Sequence, residues 1–140
     1  MVNLEYLIND SEELFLEKYS YSKGILTILL DVSEIERKVV LDIKTDHLSF
    51  DSFYLEKKEE MYRICRIEIQ NLLNVLSVEN DMYVPSSMFG KLMNESRSNY
   101  NLAYGKKSSE LKYVFCLIGY GKLVSCLLSD LDHIKIAEID

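Results

Sequence analysis

The chain has 140 residues and a formal net charge of −7, and 48% of its residues are hydrophobic while 28% are charged. This length suits a single domain spanning 1–140, and the composition excludes intrinsic disorder. The apolar runs are too short to cross a bilayer, which excludes a membrane-spanning helix.

The first half of the chain predicts one helix followed by three strands. The helix begins at Asp10, because Asp10 and Glu13 have the spacing of a capping box. Its apolar face holds Leu14 and Phe15, to which Tyr19 is added if the helix extends that far. Alternating apolar and polar residues then predict strands at 25–32, 37–43 and 47–55. The short link at 33–34 indicates that the first two strands form an antiparallel hairpin.

The second half predicts two helices followed by three strands. Apolar residues recur three and four positions apart over 57–78, which predicts the longest helix. They are Met61, Ile64, Cys65, Ile69, Leu72, Leu73 and Leu76. A short helix follows Pro85, the only proline. Strands are predicted at 111–118, 122–128 and 133–139, although residues 122–131 also fit a helix.

These elements predict the α+β fold class. Strands that occur in blocks, not in alternation with helices, favour an antiparallel sheet over a parallel one. We therefore expect a mostly antiparallel sheet of five to six strands, packed with one long helix and two shorter ones.

Three cysteines have spacings that match no zinc or redox pattern. Cys65, Cys116 and Cys126 each lie in an apolar stretch, so we expect free thiols packed in the core. A disulfide between Cys116 and Cys126 is the alternative if their strands are neighbours, but a reducing cytosol argues against it.

The sequence predicts no catalytic, cofactor or metal site. It contains no nucleophile elbow, no Walker loop and no dinucleotide-binding glycine pattern. Two histidines each follow an aspartate, but neighbours on a strand point to opposite faces, so neither pair forms a dyad by itself. The enzymatic alternative is a small hydrolase or nuclease in which His47 and His133 meet across the fold.

The net charge is confined to the segment 1–60. This segment holds 14 acidic side chains and 7 basic ones, whereas the segment 61–140 holds 9 of each. Such a chain repels phosphate backbones and anionic lipids, which argues against nucleic-acid and membrane binding. Acidic charge can instead steer a basic protein partner, although it also serves solubility alone.

The predicted partner-binding segment is 42–60, which contains six acidic side chains. The chain also holds ten tyrosines, a residue favoured in binding patches, although a coding bias would produce the same number. Tyr19, Tyr21, Tyr100 and Tyr104 fall in predicted loops. The predicted partner-binding residues are Asp42, Asp46, Asp51, Tyr54, Glu56, Glu59 and Glu60.

With this acidic stretch and the closing segment Leu-Leu-Ser-Asp-Leu-Asp at 127–132, the chain resembles immunity proteins of bacterial polymorphic-toxin and contact-dependent growth-inhibition systems. The resemblance implies a non-enzymatic protein that binds and neutralises a cognate toxin domain, often a basic nuclease, without a cofactor. It implies that acidic side chains pair with the lysines and arginines that the toxin needs for its phosphate substrate. A self-associating adaptor or subunit, acting as a homo-oligomer, is a further alternative. The residues after Met1 show no basic segment followed by an apolar one, so we expect a cytoplasmic protein.

Overall fold

The computed structural model describes residues 2–45, 48–51, 62–72, 74, 111–119 and 122–139. Within these ranges the chain forms the short helix α1 (Leu4–Asn9) and eight strands. The strands are β1 (Leu14–Ser22), β2 (Ile25–Val32), β3 (Arg37–Lys44), β4 (Leu48–Asp51), β5 (Tyr62–Asn71), β6 (Tyr113–Gly119), β7 (Lys122–Leu128) and β8 (Ile134–Ile139). Two 3-10 turns lie at Ser33–Ile35 and Leu131–His133.

All eight strands join one sheet in the order β4-β7-β6-β5-β1-β2-β3-β8, with antiparallel neighbours throughout. The ladder between β1 and β5 is short, pairing only residues 14–16 with 62–64. By contrast, β2 pairs with β3 at eight positions. The short ladder divides the sheet into two halves, β1-β2-β3-β8 and β5-β6-β7-β4.

The inward side chains of both halves form one apolar core. Fully buried members include Leu16, Leu26, Ile28, Leu41, Ile43, Ile67, Phe115 and Cys126. Thr45, directly after β3, donates a hydrogen bond of 2.8 Å from its hydroxyl to the carbonyl of Leu127 in β7. The halves therefore face each other, and α1 adds Leu7 to the core between them. Each buried aliphatic side chain stabilises the fold by about 1.5–3 kcal/mol.

The predicted α+β class is wrong. The described residues form mostly antiparallel sheet, with eight strands where five to six were expected and no long helix. Strand β1 replaces the helix predicted from Asp10, which instead caps the C-terminal end of α1. Strand β5 replaces the described part of the helix predicted at 57–78. The short helix predicted after Pro85 lies outside the described residues.

A β-bulge in each of these two strands explains both wrong predictions. The pairing register shifts between Leu16 and Lys18 in β1, and between Ile64 and Arg66 in β5. An extra residue changes the spacing of inward side chains from two to three at that point. The inward residues are Leu14, Leu16 and Tyr19 in β1 and Ile64, Ile67 and Ile69 in β5. A spacing of three resembles the period of a helix, so the bulged strands imitate one.

The strands without such an interruption were predicted correctly. Confirmed are the strands at 25–32, 37–43, 111–118, 122–128 and 133–139, which correspond to β2, β3, β6, β7 and β8. The antiparallel hairpin of β2 and β3 is also confirmed. Strand β7 excludes the alternative helix at 122–131. The described part of the strand predicted at 47–55 is β4.

Two of the three cysteines are buried and one is exposed. Cys116 lies opposite Ser125 and Cys126 lies opposite Phe115, so the two thiols lie on opposite faces of neighbouring strands and do not form a disulfide. Both are buried, as predicted, and burial raises the pKa of Cys116 to about 12. Burial also raises the pKa of Cys126. The core placement predicted for Cys65 is wrong, because this residue is exposed at the bulge of β5.

Candidate partner-binding surface

The structure describes two of the predicted partner-binding residues. Asp42 is exposed on β3, where its carboxylate accepts a hydrogen bond of 2.8 Å from the hydroxyl of Thr27. Asp51 ends β4, at the opposite end of the strand order, and pairs with Leu123. The remaining predictions lie outside the described residues: Asp46, Tyr54, Glu56, Glu59 and Glu60.

A different set of carboxylates meets at one end of the molecule, which we call the acidic end. It is formed by α1, the link 10–13 and the turn that follows β2. Its members are Glu5, Asp10, Glu12, Glu13, Glu34 and Glu36, and all but the half-buried Glu34 are exposed. No lysine or arginine occurs between residues 2 and 17, and the six carboxylates outnumber the exposed Arg37 that directly follows Glu36. This end of the molecule therefore presents concentrated negative charge.

The carboxylate of Glu34 holds the acidic end together. Its two oxygens accept hydrogen bonds of 3.0 Å from the backbone N–H groups of Glu12 and Glu13. The hydroxyl of Tyr6 in α1 donates a third bond of 3.1 Å. One side chain from the β2–β3 turn thus fixes both the helix and the link that precedes β1.

The pKa values of this pair follow from these contacts. Burial raises the pKa of Glu34, but the backbone N–H groups and the Tyr6 hydroxyl outweigh it, so its pKa lies below the ordinary value. The pKa of Tyr6 is raised by burial, by its hydrogen bond to Glu34 and by the surrounding carboxylates. Glu34 is therefore ionised at neutral pH while it holds the link in place.

Ile35 projects from the middle of the acidic end. It is 38% exposed and lies between Glu34 and Glu36. Its turn is fixed on both sides, because Ser33 donates its N–H to the carbonyl of Glu13 at 2.9 Å and Glu36 has the left-handed φ of 52°. An exposed apolar side chain on a fixed backbone, surrounded by charge, has the arrangement of an interface anchor.

A second surface adjoins the acidic end. It is the outer face of the half β1-β2-β3-β8, on the side away from the core. The cross-strand register arranges it in rows. Moving away from the acidic end, the rows are Asp31-Lys38-Ile139, Leu29-Val40-Ala137 and Thr27-Asp42-Lys135. In β2, β3 and β8 the second row is wholly apolar, which is unusual for a sheet face in water, and the exposed Lys18 of β1 completes this row beside Leu29.

An open groove of about 440 Å³ lies on this outer face. Its lining residues are Lys18, Tyr19, Ser20, Thr27, Leu29, Val40 and Ile139. Ile139 is 43% exposed, whereas Leu29 and Val40 are half-buried. In β6 and β7 of the other half, apolar side chains that face away from the core are buried, among them Val114, Cys116 and Leu127. Within the described ranges, the outer face is therefore the apolar sheet surface that remains open to a partner.

Comparison with known proteins places the chain in a family. No family model and no solved structure matches it. It is 36% identical to Immunity protein RhsIC of Dickeya dadantii (strain 3937) over 129 residues, which are 92% of this chain and 89% of that protein. The chain belongs to the bacterial toxin-immunity proteins. The resemblance to bacterial polymorphic-toxin immunity proteins that was inferred from the sequence is thereby confirmed.

For an immunity protein, the relevant surface is the one that meets another protein. The segment 42–60 was predicted because its acidic residues are close together along the chain. The acidic end was not predicted, because its members come from three segments between residues 5 and 36. One signal was available, because the segment 1–17 holds five acidic side chains and no basic one. That Glu34 and Glu36 join them depends on the hairpin turn.

The described residues give no support to the alternative of a hydrolase or nuclease site formed by His47 and His133. His133 closes the turn Leu131–His133, and His47 lies outside the described residues. Among the residues that the structure describes, no group of three or more histidine, cysteine, aspartate or glutamate side chains could hold a metal ion. The same part of the chain contains no helix that is long and apolar enough to span a membrane.

Proposed function

We propose that this immunity protein neutralises a cognate toxin by binding it in the cytoplasm, without catalysis, and that the acidic end attracts a basic surface of that toxin. The observation that carries this proposal is the convergence of six carboxylates on one end, fixed by Glu34. A basic toxin domain, such as a nuclease with lysines and arginines around its phosphate site, has the complementary charge.

Charge of this kind acts first on the rate of association. Complementary potentials raise association rates by orders of magnitude at low salt, and screening removes the gain as the ionic strength rises. The same charge disfavours nucleic acid and anionic membranes as direct ligands. Segment 42–60, with Asp42, Asp51 and Glu56, remains a second proposed contact region.

The test begins by identifying the toxin. The tagged full-length protein is used to capture partners from the source organism's lysate, and the captured toxin is identified by mass spectrometry and purified. Titration then distinguishes binding from catalysis. Inhibition by binding reaches completion near one immunity protein per toxin, whereas an enzyme that modifies the toxin would act at far lower ratios. Complete inhibition at a tenth of the toxin concentration would overturn the binding mechanism.

Two triple variants with the same charge change locate the steering surface. Glu12→Lys, Glu13→Lys and Glu36→Lys alter the acidic end, and Asp51→Lys, Glu56→Lys and Glu60→Lys alter the second region. Each set changes the formal net charge from −7 to −1. We expect the first set to slow association about 10- to 100-fold at low salt and to flatten its salt dependence. A slowing confined to the second set would transfer the steering role to 42–60.

A further inference from the structure

The groove on the outer face adjoins the acidic end but differs from it in chemistry. Asp31 and Ile139 lie in the row nearest the acidic end, so one row of side chains separates the turn at Ser33–Ile35 from the apolar row Leu29-Val40-Ala137. Ile139 borders both rows. Among the residues that the structure describes, no other element lies between the acidic end and the groove, so a protein that contacts the one can reach the other.

The charges on the two sides of the groove differ in sign. Towards the acidic end lie Asp31 and the carboxylates beyond it, while Lys38 is paired with Glu17 at 3.0 Å. On the far side lie two exposed lysines, Lys44 and Lys135, with one aspartate, Asp42, while the exposed Lys18 lies beside Leu29 in the apolar row itself. The surface thus passes from negative through apolar to positive across a few rows.

We propose that this groove is the anchor pocket of the toxin interface and takes an apolar side chain of the toxin. The matching partner segment carries a cationic group on the side of the acidic end, an apolar side chain in the middle, and a carboxylate or polar group opposite Lys135 on the far side. This inference rests on the proposed function and adds a role that charge steering lacks. Filling the groove excludes water from Leu29, Val40 and Ile139, and such desolvated anchors govern how slowly a complex dissociates.

Charge steering acts mainly on the association rate, whereas the anchor pocket acts mainly on the dissociation rate. We expect Ile139→Ala to raise the dissociation rate of the purified toxin about tenfold, with the association rate changed less than about twofold. Val40→Trp fills the groove with a large side chain, and the variant should still fold because aromatic residues are well accepted on a sheet face. We expect it to raise the dissociation rate about 10- to 100-fold. Surface plasmon resonance with immobilised full-length immunity protein measures both rates.

Ile25→Ala provides the matched control. Ile25 is an isoleucine with a similar exposure of 44% at the start of β2, on the same outer face, but it does not line the groove. Its truncation should leave both rates unchanged. Circular dichroism and the unfolding midpoint of each variant exclude misfolding as the cause. Unchanged dissociation for both Ile139→Ala and Val40→Trp would overturn the anchor pocket, while slowed association of the acidic-end variant in the same assay would leave the proposed function standing.

A second copy of the chain is the competing occupant of the groove. Light scattering of the immunity protein alone tests this, with wild type and Val40→Trp compared at equal concentration. We expect a monomer in both cases. A wild-type dimer that Val40→Trp dissociates would show that the groove is a self-association surface and would overturn the assignment to the toxin.

Discussion

The hydroxyl of Thr45 lies 2.8 Å from the carbonyl of Leu127, and this hydrogen bond joins the two halves of the sheet. Thr45 is also bound through its backbone: its N–H donates to the carbonyl of Gly24 at 2.9 Å, and its carbonyl accepts from the hydroxyl of Tyr21 at 2.7 Å. Three segments therefore meet at one buried threonine.

Replacing this threonine should weaken the whole fold. Thr45→Val keeps the shape but removes the donor, leaving the buried carbonyl of Leu127 without this partner, and we expect a loss of about 1–3 kcal/mol in the free energy of unfolding. Urea unfolding measures it. Thr27→Val is the control, since its hydrogen bond to Asp42 is exposed, and its cost should be smaller. Equal costs for the two variants would contradict the role of Thr45.

The ionisation of Glu34 should make stability depend on pH. Its pKa in the folded protein lies below the ordinary value, because backbone N–H groups and Tyr6 bind the carboxylate. The stability that this group contributes is therefore complete above the pKa of the unfolded chain, about 4.3, and is lost as the pH falls through the folded pKa. We expect Glu34→Gln to be less stable than wild type at pH 7. The difference in free energy of unfolding between wild type and Glu34→Gln should decrease steadily below pH 4. A difference that stays constant from pH 7 to pH 3 would argue against this mechanism.

Ile35 should act as a second anchor at the acidic end. Ile35→Ala removes an exposed apolar side chain from a turn whose backbone is fixed by its hydrogen bonds, so its main effect should fall on toxin binding. We expect dissociation to accelerate about tenfold with little change in association. Ile25→Ala is again the matched control, because the exposed fractions are 38% and 44%. Equal dissociation rates for the two variants would exclude Ile35 from the interface.

The three cysteines should differ in reactivity. Cys65 is exposed, whereas Cys116 and Cys126 are buried and have raised pKa values, so their reactive thiolate form is scarce and inaccessible. With an excess of a disulfide reagent at pH 8, we expect one thiol to react rapidly and two to react only as the protein unfolds. Cys65→Ser should abolish the rapid phase. Rapid reaction of two or more thiols would contradict the burial of Cys116 and Cys126.

The sequence by itself determined the strands whose side chains alternate without interruption. In β2 every second residue from Leu26 to Val32 is apolar, and these residues are buried in the core. Local alternation suffices there because one face of the sheet meets the core and the other meets water. The acidity of the segment 1–60 and the resemblance to immunity proteins could also be recognised in the sequence.

Only the tertiary structure decided the positions of the bulges and the membership of the acidic end. A bulge at Cys65 is defined by the pairing of β5 with β6, and the β5 sequence alone shows only apolar residues spaced as in a helix. Likewise, Glu34 joins Glu12 and Glu13 because the β2–β3 turn brings its carboxylate to their N–H groups, 21 and 22 positions away along the chain. Both features depend on contacts between distant segments, which periodicity and local charge density do not record.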